Sequence, residues 1–319
     1  MISIILAMKP IRYNKCKAIT IFFLLWMGLH LLSGANPCQS SETEARRPKS
    51  FVVGYVIDSF SGVSLEDTKL AVKLIFETRF KNKYPHYSGS VILFPDMHSA
   101  VEAIKRKEIH SLGAMTLDYL ITKEENNLRP VRNAKLGDSA MTQFVILVRK
   151  SHTGSLEALR NKEILIESGG HGSVAAIWLD TLLLERSLPE SKLFFQSTDR
   201  VDKGSLAVLK LFFGTADACI IQMNTFNVMK ELNPQIGADL RVLLTSPEFL
   251  MGIFGVVKGI DKNTEAFILK FVDELSMDEQ GVQLLTMFRV KQISEFKPES
   301  MNSIETLYQK YMTLKAASR

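Results

Sequence analysis

Cysteine is nearly absent from this chain. The 319 residues hold three, at positions 16, 38 and 219, and no two are spaced as a redox or zinc pair. A disulfide framework is therefore excluded, and Cys219, inside an apolar stretch, reads as core. Histidine is also sparse and scattered, with no H-x-x-x-H pair, so no metal site is expected. There is no G-x-S-x-G elbow, no phosphate loop with a lysine after its glycines, no internal repeat and no low-complexity tract. An excess of one charge is lacking too, once the amino terminus is set aside. Four of the 39 basic residues and none of the 34 acidic ones precede position 36, which leaves a net +1 beyond it. That balance gives no footing for nucleic-acid binding, which needs a basic face on the folded domain.

What is present begins with a leader. Lys9, Arg12, Lys15 and Lys17 precede the apolar run 18–32, and Ser33-Gly34-Ala35 supplies small residues at a cleavage position. The order is that of a secretory signal peptide over 1–35, and the run is short for a membrane span. Residues 36–50 read as a polar tether. Cys38 follows Ala35-Asn36-Pro37, which departs from a lipoprotein signal.

Beyond the tether, strands alternate with helices, the pattern of an α/β fold with largely parallel sheets. Apolar runs predict strands at 51–57, 90–94, 111–115, 141–150, 162–167, 192–196, 216–221, 240–245 and 249–258, with a polar connection over 123–139. Two long strands, 141–150 and 249–258, bracket a block with its own βα units. The reading is of two lobes: 51–145 with 250–319, and an inserted 146–249. Two chain crossings join them as a hinge, and the cleft between them is the natural ligand site.

Ligands in open α/β sheets sit beyond the carboxyl ends of strands, where helices start. The residues there are Ser59, Thr116 with Tyr119, Asp202, Asn224, and the stretch Ser168-Gly169-Gly170-His171-Gly172-Ser173. Serine and threonine at such places cap helices, and the same amides attract anions. The glycines of 168–173 read as a turn that lets backbone N–H groups approach a ligand, with the helix starting at Ser173. Gly170–Ala175 also satisfies G-x-G-x-x-A, the dinucleotide fingerprint, so a nucleotide-dependent enzyme is an alternative.

The segments LGAMTLDYL (112–120), FVILVRK (144–150), ILIESGGHGSVAAIWLDTLLLE (164–185), FFGTADACIIQMNTFNVMKELNP (212–234) and LLTSPE (243–248) carry a resemblance. Over about 50–315 the chain resembles the periplasmic solute-binding components of phosphate, phosphite and phosphonate ABC transporters. The resemblance implies a two-lobed type II periplasmic binding protein fold, each lobe a sheet flanked by helices. It implies a monomeric, extracytoplasmic protein that is not an enzyme and needs no cofactor. Such a protein captures a small oxyanion in an inter-lobe cleft and delivers it to a membrane permease. Thr116, Ser168, Gly172 and Ser173 match the positions whose hydroxyls and amides hold the anion, with Ser59, Tyr119, Gly170, His171, Asp202 and Asn224 around them. The better-known phosphonate binders carry a Ser-Thr-Ser-Gly-type loop where this chain has Ser-Gly-Gly-His-Gly-Ser, which leaves the ligand open. A sensory relative, reporting the ligand to a membrane signalling protein, is a further alternative.

Overall fold

The computed structural model describes residues 49–56, 65–135, 139–287 and 290–318. The leader, Cys38 and Ser59 lie outside the described residues. The described elements belong to one compact unit, Arg47–Arg319.

Two sheets organise it. The first is built from β1 (Lys49–Val56), β2 (Tyr87–Phe94), β3 (Ser111–Met115), β4 (Leu128–Lys135), β10 (Gly252–Val257) and β11 (Gln292–Glu295), in the order β11-β4-β10-β3-β1-β2. The second holds β5 (Met141–Arg149), β6 (Glu163–Glu167), β7 (Ser197–Val201), β8 (Ala218–Gln222) and β9 (Leu240–Leu250), in the order β7-β6-β8-β5-β9. The helices are α1 (Leu65–Lys83), α2 (Met97–Lys105), α3 (Thr116–Ile121), α4 (Gly169–Leu184), α5 (Ser191–Phe194), α6 (Gly204–Phe212), α7 (Met223–Leu232), α8 (Pro234–Asp239), α9 (Lys262–Asp273), α10 (Glu279–Met287) and α11 (Asn302–Ala317).

Each sheet is parallel only in part. β1 runs parallel to β2 and β3, and β6 to β7 and β8, whereas β10, β4, β11, β5 and β9 pair antiparallel. The chain leaves the first sheet after β4 and returns at Met251, between β9 and β10. The expected strand 249–258 is thus two strands in different sheets, and its first part extends 240–245 into one long β9.

Two further expectations are corrected. The polar connection contains β4, whose Pro130 stands opposite Gly255 at a register shift in β10, where a missing N–H is tolerated. The expected strand 192–196 is replaced by α5 and β7. Asp180 accepts from the Ser191 amide at 2.7 Å to start the helix, and Phe194 and Phe195 turn into the core.

Helix formation follows side-chain chemistry where it is local. Asp96 caps α2 by accepting from the Ser99 amide at 2.7 Å, and Met97, Ala100, Val101 and Ile104 give it one buried face. Asp261 caps α9 through the amides of Asn263 and Thr264, and Phe267, Ile268, Phe271 and Val272 are buried. That face meets α1 in an aromatic cluster of Phe51, Phe76, Phe80, Tyr84, Phe267 and Phe271. The tail divides: α9 packs with the first sheet's core, while α11 lies against α4, α3 and β9. Lys123 reaches Glu305 at 2.9 Å, and Lys315 and Tyr311 both reach Glu190 at 2.8 Å.

Arg79 is 1% exposed within the aromatic cluster, its guanidinium 5.5 Å from the Phe271 ring centroid. It pairs with Asp278 and donates to the Glu274 carbonyl at 3.1 Å. Burial pushes the Asp278 carboxyl up. The hydrogen bonds from Arg79, the Gly281 amide and Lys83 outweigh it and bring the group down to about 2. A depressed carboxyl stabilises above its unfolded value, near 4, and loses that contribution as pH falls toward 2. Allowing for partial exposure, the loss is expected to be about 1–2 kcal/mol. Urea unfolding between pH 5 and 2.5 should show it, and Asp278→Asn should remove that part of the pH slope.

Candidate functional site

Four helices begin where parallel strands end: α3 after β3, α4 after β6, α6 after β7 and α7 after β8. None of the four has a side-chain cap. Elsewhere α2, α8 and α9 are capped by Asp96, Asn233 and Asp261. An uncapped helix start presents unsatisfied N–H groups and the positive end of the helix dipole.

The glycine-rich stretch is not a turn before the helix. α4 starts at Gly169 with Ser168 as its N-cap, so Gly170, His171, Gly172 and Ser173 all lie within its first two turns. The Ser168 amide donates to the Val201 carbonyl at 2.7 Å, but its hydroxyl makes no capping bond. The Gly170 amide has no backbone acceptor outside the helix among the described residues. Gly172 is the fourth helical residue, so its N–H falls within the helix's own ladder. Its missing side chain serves packing: a Cβ there would stand 1.6 Å from the Glu167 carbonyl oxygen and 2.6 Å from Arg200 Nη1. Arg200 donates to that same carbonyl at 3.2 Å, and burial holds its guanidinium below the usual value. The dinucleotide fingerprint does not form, because its glycines sit inside the helix and the closest approach is to β6.

The structure brings some predicted residues together and separates others. Gly170 meets Met115, whose Cγ would be 2.5 Å from a Cβ at Gly170. The first turn of α4 therefore touches the end of β3, directly before Thr116. Thr116 is 0% exposed, and its N–H donates to the Met251 carbonyl at 2.8 Å. Its hydroxyl is buried with no hydrogen-bond partner among the described residues. His171 is buried beside these groups. Tyr119 is not: it lines a groove with Pro130, Phe296, Met301 and Glu305. Asp202 and Asn224 are exposed at the starts of α6 and α7.

Sequence reasoning missed Glu167. The last residue of β6 is only 9% exposed, and its Oε2 would lie 3.2 Å from a Cβ on Gly204, the first residue of α6, beside Ile221 and Thr225. The protein's own carboxylate thus occupies the electropositive region at the start of α6, close to that of α7. The starts of α3 and α4 have no side-chain cap. An acidic residue directly before a glycine-rich helix start was the available signal.

Next to His171 lies a cavity of about 120 Å³. Its walls come from Tyr55, from 113–115 of β3, from 252–254 of β10 and from Val272, Leu275, Leu284, Leu285, Val290 and Ile293. His171 is the lining residue contributed by the second sheet's helices, and Met251 marks the return crossing. The Asn133 amide on its edge faces β11, and with the amide turned over its nitrogen donates to the carbonyls of Glu295 at 2.9 Å and Ser294 at 3.0 Å. Among the described residues no His, Cys, Asp and Glu side chains group to hold a metal ion.

The family model described as "ABC transporter, phosphonate, periplasmic substrate-binding protein" matches residues 84–301. No curated protein matches the chain. Among solved structures, the chain is similar to a binding protein component of an ABC phosphonate transporter from Pseudomonas aeruginosa, at 10% identity and TM-score 0.59, covering 85% of this chain and 89% of that one. It is similar to PhnD1 from Prochlorococcus marinus in complex with methylphosphonate, at 14% identity and TM-score 0.57, covering 82% and 98%. A Xanthomonas citri protein bound to ATP matches at 12% identity and TM-score 0.61, covering 84% and 98%. These likenesses show a shared fold, that of two-lobed binding proteins.

Proposed function

The chain belongs to the family of periplasmic substrate-binding components of phosphonate ABC transporters, and we propose that it captures a small oxyanion on the first turn of α4 and hands it to the membrane permease. Phosphate, phosphite and phosphonates are the candidate ligands. The protein performs no catalysis in this reading. It is exported by the leader over 1–35 and works as a monomer, its two lobes closing by a hinge where the chain crosses between the two sheets, at the start of β5 and between β9 and β10. Thr116, Ser168, Gly170 and His171 are the residues proposed to surround the headgroup, with Ser173 one turn behind them.

One observation carries the reading: an uncapped, glycine-rich start of α4 meets the end of β3, next to a fully buried Thr116 hydroxyl that has no hydrogen-bond partner among the described residues. A hydroxyl buried at such a cost suits a site that an acceptor-rich ligand completes. Neutral donors at a helix start hold an oxyanion without a counter-ion and let it go again. The ligands in the two relatives named above, methylphosphonate and ATP, both present phosphoryl oxygens.

A thermal-shift panel of phosphate, phosphite, methylphosphonate and methanesulfonate tests this. Ligand at tenfold its Kd should stabilise the protein by about 1.4 kcal/mol, which is about 2–3 °C for a chain of this size. A panel without any shift would sink the oxyanion assignment and leave the fold as it is.

A further inference from the structure

We infer that the ligand carries a compact, uncharged apolar substituent on its oxyanion headgroup, and that this substituent fills the cavity between the first sheet and α9–α10. The inference rests on the function proposed above and narrows its substrate class.

Protein interiors are packed to the density of organic crystals, with few voids larger than a water molecule. A space of about 120 Å³ in one lobe is therefore notable. Its walls are built chiefly from Phe254, Val272, Leu275, Leu284, Leu285 and Ile293. Such walls hold water poorly and lose dispersion contacts wherever no atom faces them. Gly113, Ala114, Ala134 and Gly252 line the same space, so on the sheet side several wall residues have little or no side chain to fill it.

The position of the cavity links it to the headgroup. Gly113–Met115 lead directly into Thr116, Met251 and Gly252 form the return crossing, and His171 enters from the first turn of α4. A headgroup on that turn is thus one residue away from the apolar space, and its substituent has a place to go.

The cavity also sets size and charge. An engineered cavity of about 150 Å³ accepts benzene, so about 120 Å³ suits a short alkyl chain of roughly four carbons and excludes a sugar or nucleoside. No Asp or Glu lines it among the described residues. A cationic amino group would give up its hydration there without an anionic partner.

Isothermal titration of the purified protein with methyl-, propyl-, butyl- and 2-aminoethylphosphonate decides the matter. Each buried methylene is worth about three- to fourfold in affinity. Butylphosphonate should therefore bind about 30-fold tighter than methylphosphonate. 2-Aminoethylphosphonate, close to propylphosphonate in length, should bind at least tenfold more weakly than it. Leu284→Trp, or Ile293→Phe from another wall if the first variant does not fold, should abolish the chain-length dependence and keep methylphosphonate binding. Affinity that is flat or falls with chain length, while methylphosphonate still binds, overturns this inference and leaves the proposed function standing. A chain-length dependence that survives in the folded cavity variants overturns the placement. Failure of all four compounds to bind overturns this inference, and only if phosphate and phosphite fail as well does the proposed function fall with it.

Discussion

Gly172→Ala is expected to lower the unfolding free energy by more than about 3 kcal/mol, although helix propensity alone predicts a gain. Alanine is favoured over glycine by about 1 kcal/mol in a helix interior, and Gly172 lies inside α4. Packing opposes that gain. A Cβ would stand 1.6 Å from the Glu167 carbonyl oxygen, a backbone atom at the end of a central strand. That carbonyl accepts from Arg200, and the next amide, of Ser168, is bonded to Val201. Neither can retreat without breaking the edge of the second sheet. Overpacking against adaptable side chains costs about 1–3 kcal/mol, and a fixed backbone contact should exceed that range. Gly237→Ala in α8 is the control, because a Cβ there meets only the flexible Lys230 side chain at 3.3 Å. It should leave the urea midpoint unchanged or raise it slightly. Equal stability of Gly172→Ala and the unaltered protein would mean that α4 does not seat on β6 as described.

The same residue shows what was legible in the sequence and what was not. Most apolar strands, the helices α2 and α9 and the insertion of one sheet's strands between those of the other are written locally, in runs and order, while the apolar run 192–196 is helix α5 instead. The start of α4 is not. Glycines are poor helix formers, so the stretch reads as a turn until the contacts of Gly172 with β6 and of Gly170 with Met115 explain why a side chain is missing at both. β4 is hidden for a related reason: its residues alternate polar and apolar around a proline, and only the partners on either side reveal a strand. Among the site residues, Thr116, Gly170 and His171 meet because β3 and α4 touch through Met115, a contact between positions far apart in the chain. Asp202 and Asn224 were legible as strand-end residues, but Glu167 already sits by the start of α6, close to α7. The cavity was not legible at all, since its walls come from eight separate stretches of the chain.

Thr116→Val should separate the cost of the proposed site from its use. The Thr116 hydroxyl is fully buried without a partner among the described residues. Such a group costs about 1–3 kcal/mol of desolvation. Valine keeps the shape and removes the hydroxyl, and the backbone bond from residue 116 to Met251 is unaffected. The variant should therefore be more stable than the unaltered protein by about 1 kcal/mol, read from the urea midpoint without ligand. Binding should move the other way. A hydrogen bond to a charged acceptor contributes about 1.5–3 kcal/mol, so the Kd for the best phosphonate or phosphate should rise about 10- to 100-fold. A purely structural hydroxyl gives the opposite pattern: stability falls and affinity holds. A gain in stability with unchanged affinity would show that the hydroxyl is idle and that the anion is held by the first turn of α4 alone. Only the paired result, a firmer empty protein that binds poorly, assigns the hydroxyl to the ligand. That pairing is expected of a site whose polar groups are held ready at the expense of the empty state, since the ligand recovers on binding what the fold gives up without it.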